Sequence, residues 1–194
     1  DWLAVLYHGL PLDISLSAYL SAVPMLIALV GIWLQGARRR VAEQAYYGIA
    51  ALLVALTFVV NIGLYDFWKF PLDAMPVFYF FTSPADAFAS VSLWFVMGGL
   101  LAVAGVAAAI FLAARRWLVT PQEDCRQPSR RLLTTLLQLV LTGLLIIPIR
   151  GGVTVSTTNT GKVYFSGQQE LNHAAVNPMF SLMESLAHQE DFAK

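Results

Sequence analysis

Four stretches of this sequence, each at least 18 residues long, contain no Asp, Glu, Lys or Arg. They run from about Ile14 to Gln35, Tyr46 to Tyr65, Ala87 to Leu112 and Leu132 to Ile149. A helix needs about 20 mainly apolar residues to cross roughly 30 Å of hydrocarbon. In lipid the backbone has no water to bond to, so an uncharged segment of this length has to satisfy its own N–H and C=O groups as a helix. The stretches therefore predict an all-α membrane protein, with a transmembrane domain over residues 1–150.

Composition supports the same class. The 194-residue chain is 58% hydrophobic and 12% charged, about half the charge of an ordinary soluble domain, where roughly 25% of residues are charged. Twelve Lys and Arg balance twelve Asp and Glu, so no basic excess exists to neutralise a phosphate backbone and nucleic acid is not an expected partner. The single cysteine, Cys125, and three scattered histidines, His8, His173 and His188, provide neither a disulfide framework nor a Cys/His zinc site. The sequence opens inside an apolar segment at Asp1, with no basic leader or cleavage site, and reads as part of a longer protein.

The cations predict orientation. Arg38, Arg39 and Arg40 lie between the first two spans, and Arg115, Arg116, Arg126, Arg130 and Arg131 between the last two. Only Lys69, Arg150, Lys162 and Lys194 lie on the other side, a split of eight to four. By the positive-inside rule the arginine-rich loops are cytoplasmic, and the amino-terminal segment, the loop Asp66–Asp86 and the tail after Arg150 are extracytoplasmic. Tryptophans at both ends of the spans agree, although aromatic belts carry no direction.

The loop from Asp66 to Phe88 is too apolar to be solvated and too interrupted by Pro71, Pro76 and Pro84 for one helix, which suits interfacial helices. Ser83, Pro84 and Asp86 have the pattern of a helix start, predicting a helix from Pro84 to Arg116 of roughly 50 Å at about 1.5 Å per residue. Within it Gly98, Ala102, Gly105 and Ala109 form a smooth seam, either a close helix contact or the ordinary abundance of small residues in membrane helices. In the tail, Gly151–Ser156 and Lys162–Ser166 have the β-branched pattern of two short strands around a turn. Phe180, Met183 and Leu186 predict a helix opened by Asn177 or Pro178. Residues 151–194 are thus expected to form a short extracytoplasmic strand and helix linker, without enough apolar residues for a core of their own.

Asp66, Lys69, Asp73, Asp86, Arg150, Asn172 and His173 are the polar candidates on the predicted outer face. Lys69 and Arg150 suit a lipid phosphate; Asp66 and Lys69, three apart, equally suit an interfacial ion pair worth at most about 1 kcal/mol. Asp66, Lys69, Asp73 and Arg150 are the candidates for contact with a lipid headgroup or a docked domain. Asn61, Thr57, Gln138 and Thr142 suit interhelical hydrogen bonds, since transport would call for an ionisable residue inside a span. Thr154, Thr157, Thr158 and Thr160 have no sequence neighbour to activate them, and His8 with His173 falls short of a metal site. No catalytic residue is assigned.

Three stretches, LYDFWKFPLDAMPVFYFFTSPADAFAS (Leu64–Ser90), IPIRGG (Ile147–Gly152) and VYFSGQQELNHAAVNPMFSLMESL (Val163–Leu186), resemble the membrane region of the lipoteichoic acid synthase-like proteins of the alkaline phosphatase and sulfatase superfamily. The resemblance implies a bacterial cell (inner) membrane protein whose helices carry an extracytoplasmic domain. That domain transfers phosphoglycerol or phosphoethanolamine from a lipid. It implies as partners a membrane lipid, an anionic or zwitterionic phospholipid, and the chain's own downstream catalytic domain. It also implies a divalent metal, manganese, magnesium or zinc, in that domain, and no cofactor in the present residues. Two departures stand out. YHGLPLD (Tyr7–Asp13) resembles the outer segment that follows a first helix missing here, and the family's metal ligands and threonine nucleophile lie beyond Lys194. The expected function is to anchor the catalytic domain at the outer leaflet. A small transporter or channel, and an intramembrane enzyme, are the competing readings.

Overall fold

The computed structural model describes residues 2–33, 37–83, 91–121, 129–153 and 157–188. They form α1 (Trp2–Gly31), α2 (Ala37–Trp68), α3 (Ala74–Thr82), α4 (Leu93–Trp117), α5 (Arg131–Leu144), α6 (Ile146–Arg150), a 3₁₀ turn (Thr160–Val163), α7 (Gln169–Ala175) and α8 (Pro178–Ala187). Four helical stretches, Trp2–Gly31, Arg38–Trp68, Leu93–Trp117 and Arg131–Arg150, are long and apolar enough to cross a membrane. The chain is an all-α multi-pass membrane protein. Leu100, Leu101, Leu136 and Leu137 are exposed along the third and fourth spans, as lipid in place of water permits.

The helices depart from the uncharged stretches where local chemistry intervenes. Helix α1 includes the Tyr7–Asp13 segment and runs through Pro11 and Pro24. Proline deprives the carbonyl four residues earlier of its partner; for Pro24 that carbonyl is Leu20, and it accepts a hydrogen bond from the Tyr46 hydroxyl at 2.6 Å. Pro148 likewise deprives Leu144, and the fourth span breaks there, with Leu145 between α5 and α6. The third span does not run unbroken from Pro84. Val91 and Ser92 are non-helical, the Ser92 hydroxyl accepts the Phe95 N–H at 3.3 Å, and the helix runs from Leu93 to Trp117, one residue past the expected end at Arg116. Its last turn contains Arg115 and Arg116. The two arginines sit at its negative dipole end, where cations are favourable. Ser83 closes α3, donating its N–H to Tyr79 O at 2.9 Å; Pro84 and Asp86 lie outside the described residues.

The contacts divide the chain into two compact units, Asp1–Asp13, Leu53–Val106 and Asn159–Lys194 in the first, and Ile14–Leu52 and Ala107–Thr158 in the second. In the second, Ser15 is fully buried and donates to Ile149 O at 2.7 Å, supplying a partner to a carbonyl in the last helical turn. Gln138 Nε2 donates to Met25 O at 3.2 Å, the interhelical bond expected of it. Thr142, and Thr57 of the first unit, instead bond back to carbonyls of their own helices. Gly48 lies against the Phe111 ring. In the first unit Gly63 lies against Phe95 in the same way. Gly98, Ala102, Gly105 and Ala109 are all exposed, and open space surrounds Gly98 and Gly105. The small-residue seam is thus not the packed face of α4 among the described residues.

No strand is present among the described residues of the tail, which corrects the expected strand pair. Gly151, at φ +83°, closes α6 in the left-handed conformation. Its N–H donates to Pro148 O and that of Gly152 to Ile147 O, so the first arm of the expected pair begins as a helix cap. Residues 154–156 of that arm are outside the described set. In the second arm the Asn159 side chain accepts the Lys162 N–H, winding Thr160–Val163 into a 3₁₀ turn, because a local Asn bond competes with an extended ladder.

The tail also acquires a core by borrowing from α1. Val163, Ala175, Val176 and Phe180 pack with Val5 and Leu12, flanked by Phe165 and Leu171. Gly9 is required there: a Cβ would stand 2.9 Å from Ala175 O. Asn177 caps α8 by accepting the Met179 and Phe180 N–H groups and donates to Asp13 Oδ1 at 2.7 Å. Leu12 is completely buried. Leu12→Ala is expected to weaken tail packing by about 2–4 kcal/mol, read as faster hydrogen exchange across residues 159–188 with α4 unchanged.

Candidate functional site

The loop after α2 is built by its own polar groups. Lys69, at φ +55°, is in the left-handed region and donates its N–H to Tyr65 O at 2.8 Å, ending α2 as a helix-terminating residue does. Two residues later Pro71 prevents helix from resuming. The Leu72 N–H donates to Asn61 Oδ1 at 2.7 Å, so Asn61 holds the loop rather than another membrane helix. Asp73 caps α3 by accepting the Met75 N–H at 2.9 Å, and the Ala74 N–H donates to Ser185 Oγ at 3.1 Å, tying α3 to α8. A cavity of about 50 Å³ lies between the end of α2 and this loop, lined by Asn61, Leu64, Trp68, Phe70, Leu72 and Asp73 among others.

Of the docking candidates, Asp66 and Lys69 form the ion pair expected from their spacing, Nζ to Oδ1 3.4 Å, with both side chains largely exposed. Asp73 belongs to the same loop but its carboxylate is committed to the cap. Arg150 ends α6 and is exposed; it belongs to the second unit, whereas the other three belong to the first. Phe67, Phe78, Tyr79, Phe80 and Phe81 are exposed around the loop and α3, a surface suited to the headgroup and acyl boundary.

The two tail candidates are structural. Asn172 is buried; its Oδ1 accepts the Phe165 and Ser166 N–H groups at 2.9 Å and its Nδ2 donates to Ser166 O at 2.7 Å. His173 is buried beside Tyr65, whose hydroxyl is 3.1 Å from Nδ1, and Gln169, whose amide is 3.4 Å from Nε2. The Tyr65, Phe70 and Tyr164 rings surround it. His8 stacks on Phe165 with ring centroids 4.4 Å apart. His8 and His173 are thus held by aromatic neighbours. Among the described residues no three His, Cys, Asp or Glu side chains form a metal-binding group.

Burial lowers the pKa of His173 from its ordinary value of 6.5. Because the unfolded chain takes up the proton first, the stability contributed by neutral His173 is complete above about pH 6.5 and is lost as pH falls through the lowered value. Exchange protection of residues 169–176, corrected for intrinsic rates, should therefore fall as pH drops below about 6.5, and His173→Phe should flatten that dependence.

The most connected polar group escaped the reading of the sequence. In the second unit Glu43, only 3% exposed, accepts from Arg39 Nε at 2.9 Å, from the Thr120 N–H at 2.7 Å and from the Thr120 hydroxyl at 3.0 Å. Arg39 Nη2 also donates to Thr120 Oγ1 at 3.0 Å. The i,i+4 spacing of Arg39 and Glu43 signals half of this arrangement; Thr120, 77 residues away from Glu43, is visible only once folded. A buried carboxylate that accepts from three donors, one of them the Arg39 cation, is committed to holding α2 to Thr120, so the group is a structural clamp. Glu43→Ala, which strands Arg39 and the Thr120 N–H, is expected to cost about 2–4 kcal/mol, measured as detergent-solubilised thermal stability, and Glu43→Gln less.

No family model, no curated protein and no solved structure matches the chain.

Proposed function

We propose that this chain is the membrane anchor of a lipid-dependent phosphoglycerol or phosphoethanolamine transferase of the lipoteichoic acid synthase-like kind. It would sit in a bacterial cell membrane and hold an extracytoplasmic catalytic domain beside the lipid headgroups. The observation that carries the reading is the packed tail. Residues 159–188 are not a loose extension of the last span; they seat on α1 through Val5 and Leu12 and on α3 through Ser185. A rigid platform of this sort transmits the position of the membrane helices to whatever follows α8. The eight-to-four cation split and the three resembling stretches support the same reading. Asp66 and Lys69, exposed on the loop, and Arg150 are its headgroup or domain contacts; Asp73 supports the loop that carries the first two.

In intact cells an impermeant maleimide should label Gln168→Cys, an exposed position in the tail, and leave Cys125 unlabelled until the membrane is opened. Vesicles holding the purified chain should release entrapped ions and small solutes no faster than protein-free vesicles. The reverse labelling pattern removes the anchor's geometry, and solute flux from this chain alone makes it a transporter or channel. Turnover of a phospholipid by the chain alone, abolished by Asp66→Asn or Arg150→Gln, makes it an intramembrane enzyme.

A further inference from the structure

Within the second unit an apolar groove of about 340 Å³ lies between the end of α1 and the beginning of α2, within the size range of small-molecule sites. Its α1 wall is Val23, Leu26, Ile27 and Val30, spaced i, i+3, i+4 and i+7 on one helical face, and its α2 wall includes Arg38 and Arg39. The charge at this end is unbalanced. The first turn of α2 contains no acid although a helix amino terminus is its positive end, and three arginines follow one another there. Glu43 neutralises Arg39. Arg38 is exposed, with no side-chain partner among the described residues, and the Nε of Arg40 is buried without one. An apolar trough ending at the unneutralised Arg38 guanidinium, beside the positive end of α2, matches a molecule with a long hydrocarbon chain and an anionic phosphodiester head.

We infer that this groove holds one anionic phospholipid, its acyl chain along Val23, Leu26, Ile27 and Val30 and its phosphate at Arg38, in the leaflet next to the arginine-rich loops. The site is independent of the anchor proposal, since it uses none of the loop or tail residues named there. Arg39, already engaged with Glu43 and Thr120, lines the groove without a free charge to offer.

The test is native mass spectrometry of the full chain released from nanodiscs containing equal phosphatidylglycerol and phosphatidylethanolamine. One phosphatidylglycerol should be retained in preference to phosphatidylethanolamine. Arg38→Gln should reduce that preference about five-fold, the effect of one cation near a lipid surface. Ile27→Trp, which fills the groove, should abolish retention with helical content unchanged, and Arg116→Gln should leave retention intact. Excess free glycerol phosphate should not displace the lipid, because it cannot use the apolar wall. Equal retention of the two lipids overturns the inference. So does an Arg116→Gln loss as large as that of Arg38→Gln, or displacement by glycerol phosphate. Should Ile27→Trp lose its helical content, the Arg38→Gln and Arg116→Gln pair decides alone.

Discussion

In hydrocarbon a backbone carbonyl that loses its helical partner has no water to replace it, and within the second unit polar side chains of neighbouring helices reach such carbonyls. Pro24 frees Leu20 O, and the Tyr46 hydroxyl of α2 takes it. Ser15 donates to Ile149 O, and Gln138 donates to Met25 O. Pro148 frees Leu144 O, and the helix breaks after Leu144. A few hydroxyl and amide groups thus join helices whose remaining surfaces are aliphatic. That is the form of glue a lipid environment favours, since apolar surface gains little by leaving lipid for protein.

The tail solves a different problem with different means. Its own apolar residues are too few to exclude water, so Val163, Val176 and Phe180 complete a core begun by Val5 and Leu12 of α1. Around that core, Asn159, Asn172 and Asn177 each satisfy backbone N–H groups of the tail. Three asparagines therefore take the place that a regular sheet ladder would have held. The same economy governs the loop after α2, where Asn61 and Asp73 serve the backbone and leave Asp66 and Lys69 as the exposed pair.

Much of the helical architecture was legible because its signal is length without charge, which a single sequence displays directly. The start of α8 was legible as well, since Asn177 and Pro178 act on N–H groups one to three residues away. The expected strands were not, because Val163 and Tyr164 carry β-branched and aromatic character into a segment where Asn159 bonds locally first. The small-residue seam of α4 left two readings open, and the structure favours the ordinary abundance of small residues. Glycine and alanine on a helix permit close approach but do not require it, and the close approaches occur where Gly48 and Gly63 of α2 face Phe111 and Phe95. Of the candidate site, the Asp66–Lys69 pair was visible as an i,i+3 spacing, whereas the Asp73 cap and the burial of Asn172 and His173 were not.

The sequence by itself therefore determined that this is an all-α membrane protein with four stretches long and apolar enough to span, and which of its loops are rich in arginine. These depend on hydrophobicity, charge and short-range bonding, all properties of neighbouring residues. Only the tertiary structure decided that Glu43 is clamped by Arg39 and Thr120, that the tail packs on α1, and that an apolar groove ends at Arg38. The clamp and the tail core join residues far apart in the chain, and the groove depends on how α1 and α2 pack. A polar side chain does not reveal its partner until folding removes the water that would otherwise have served it.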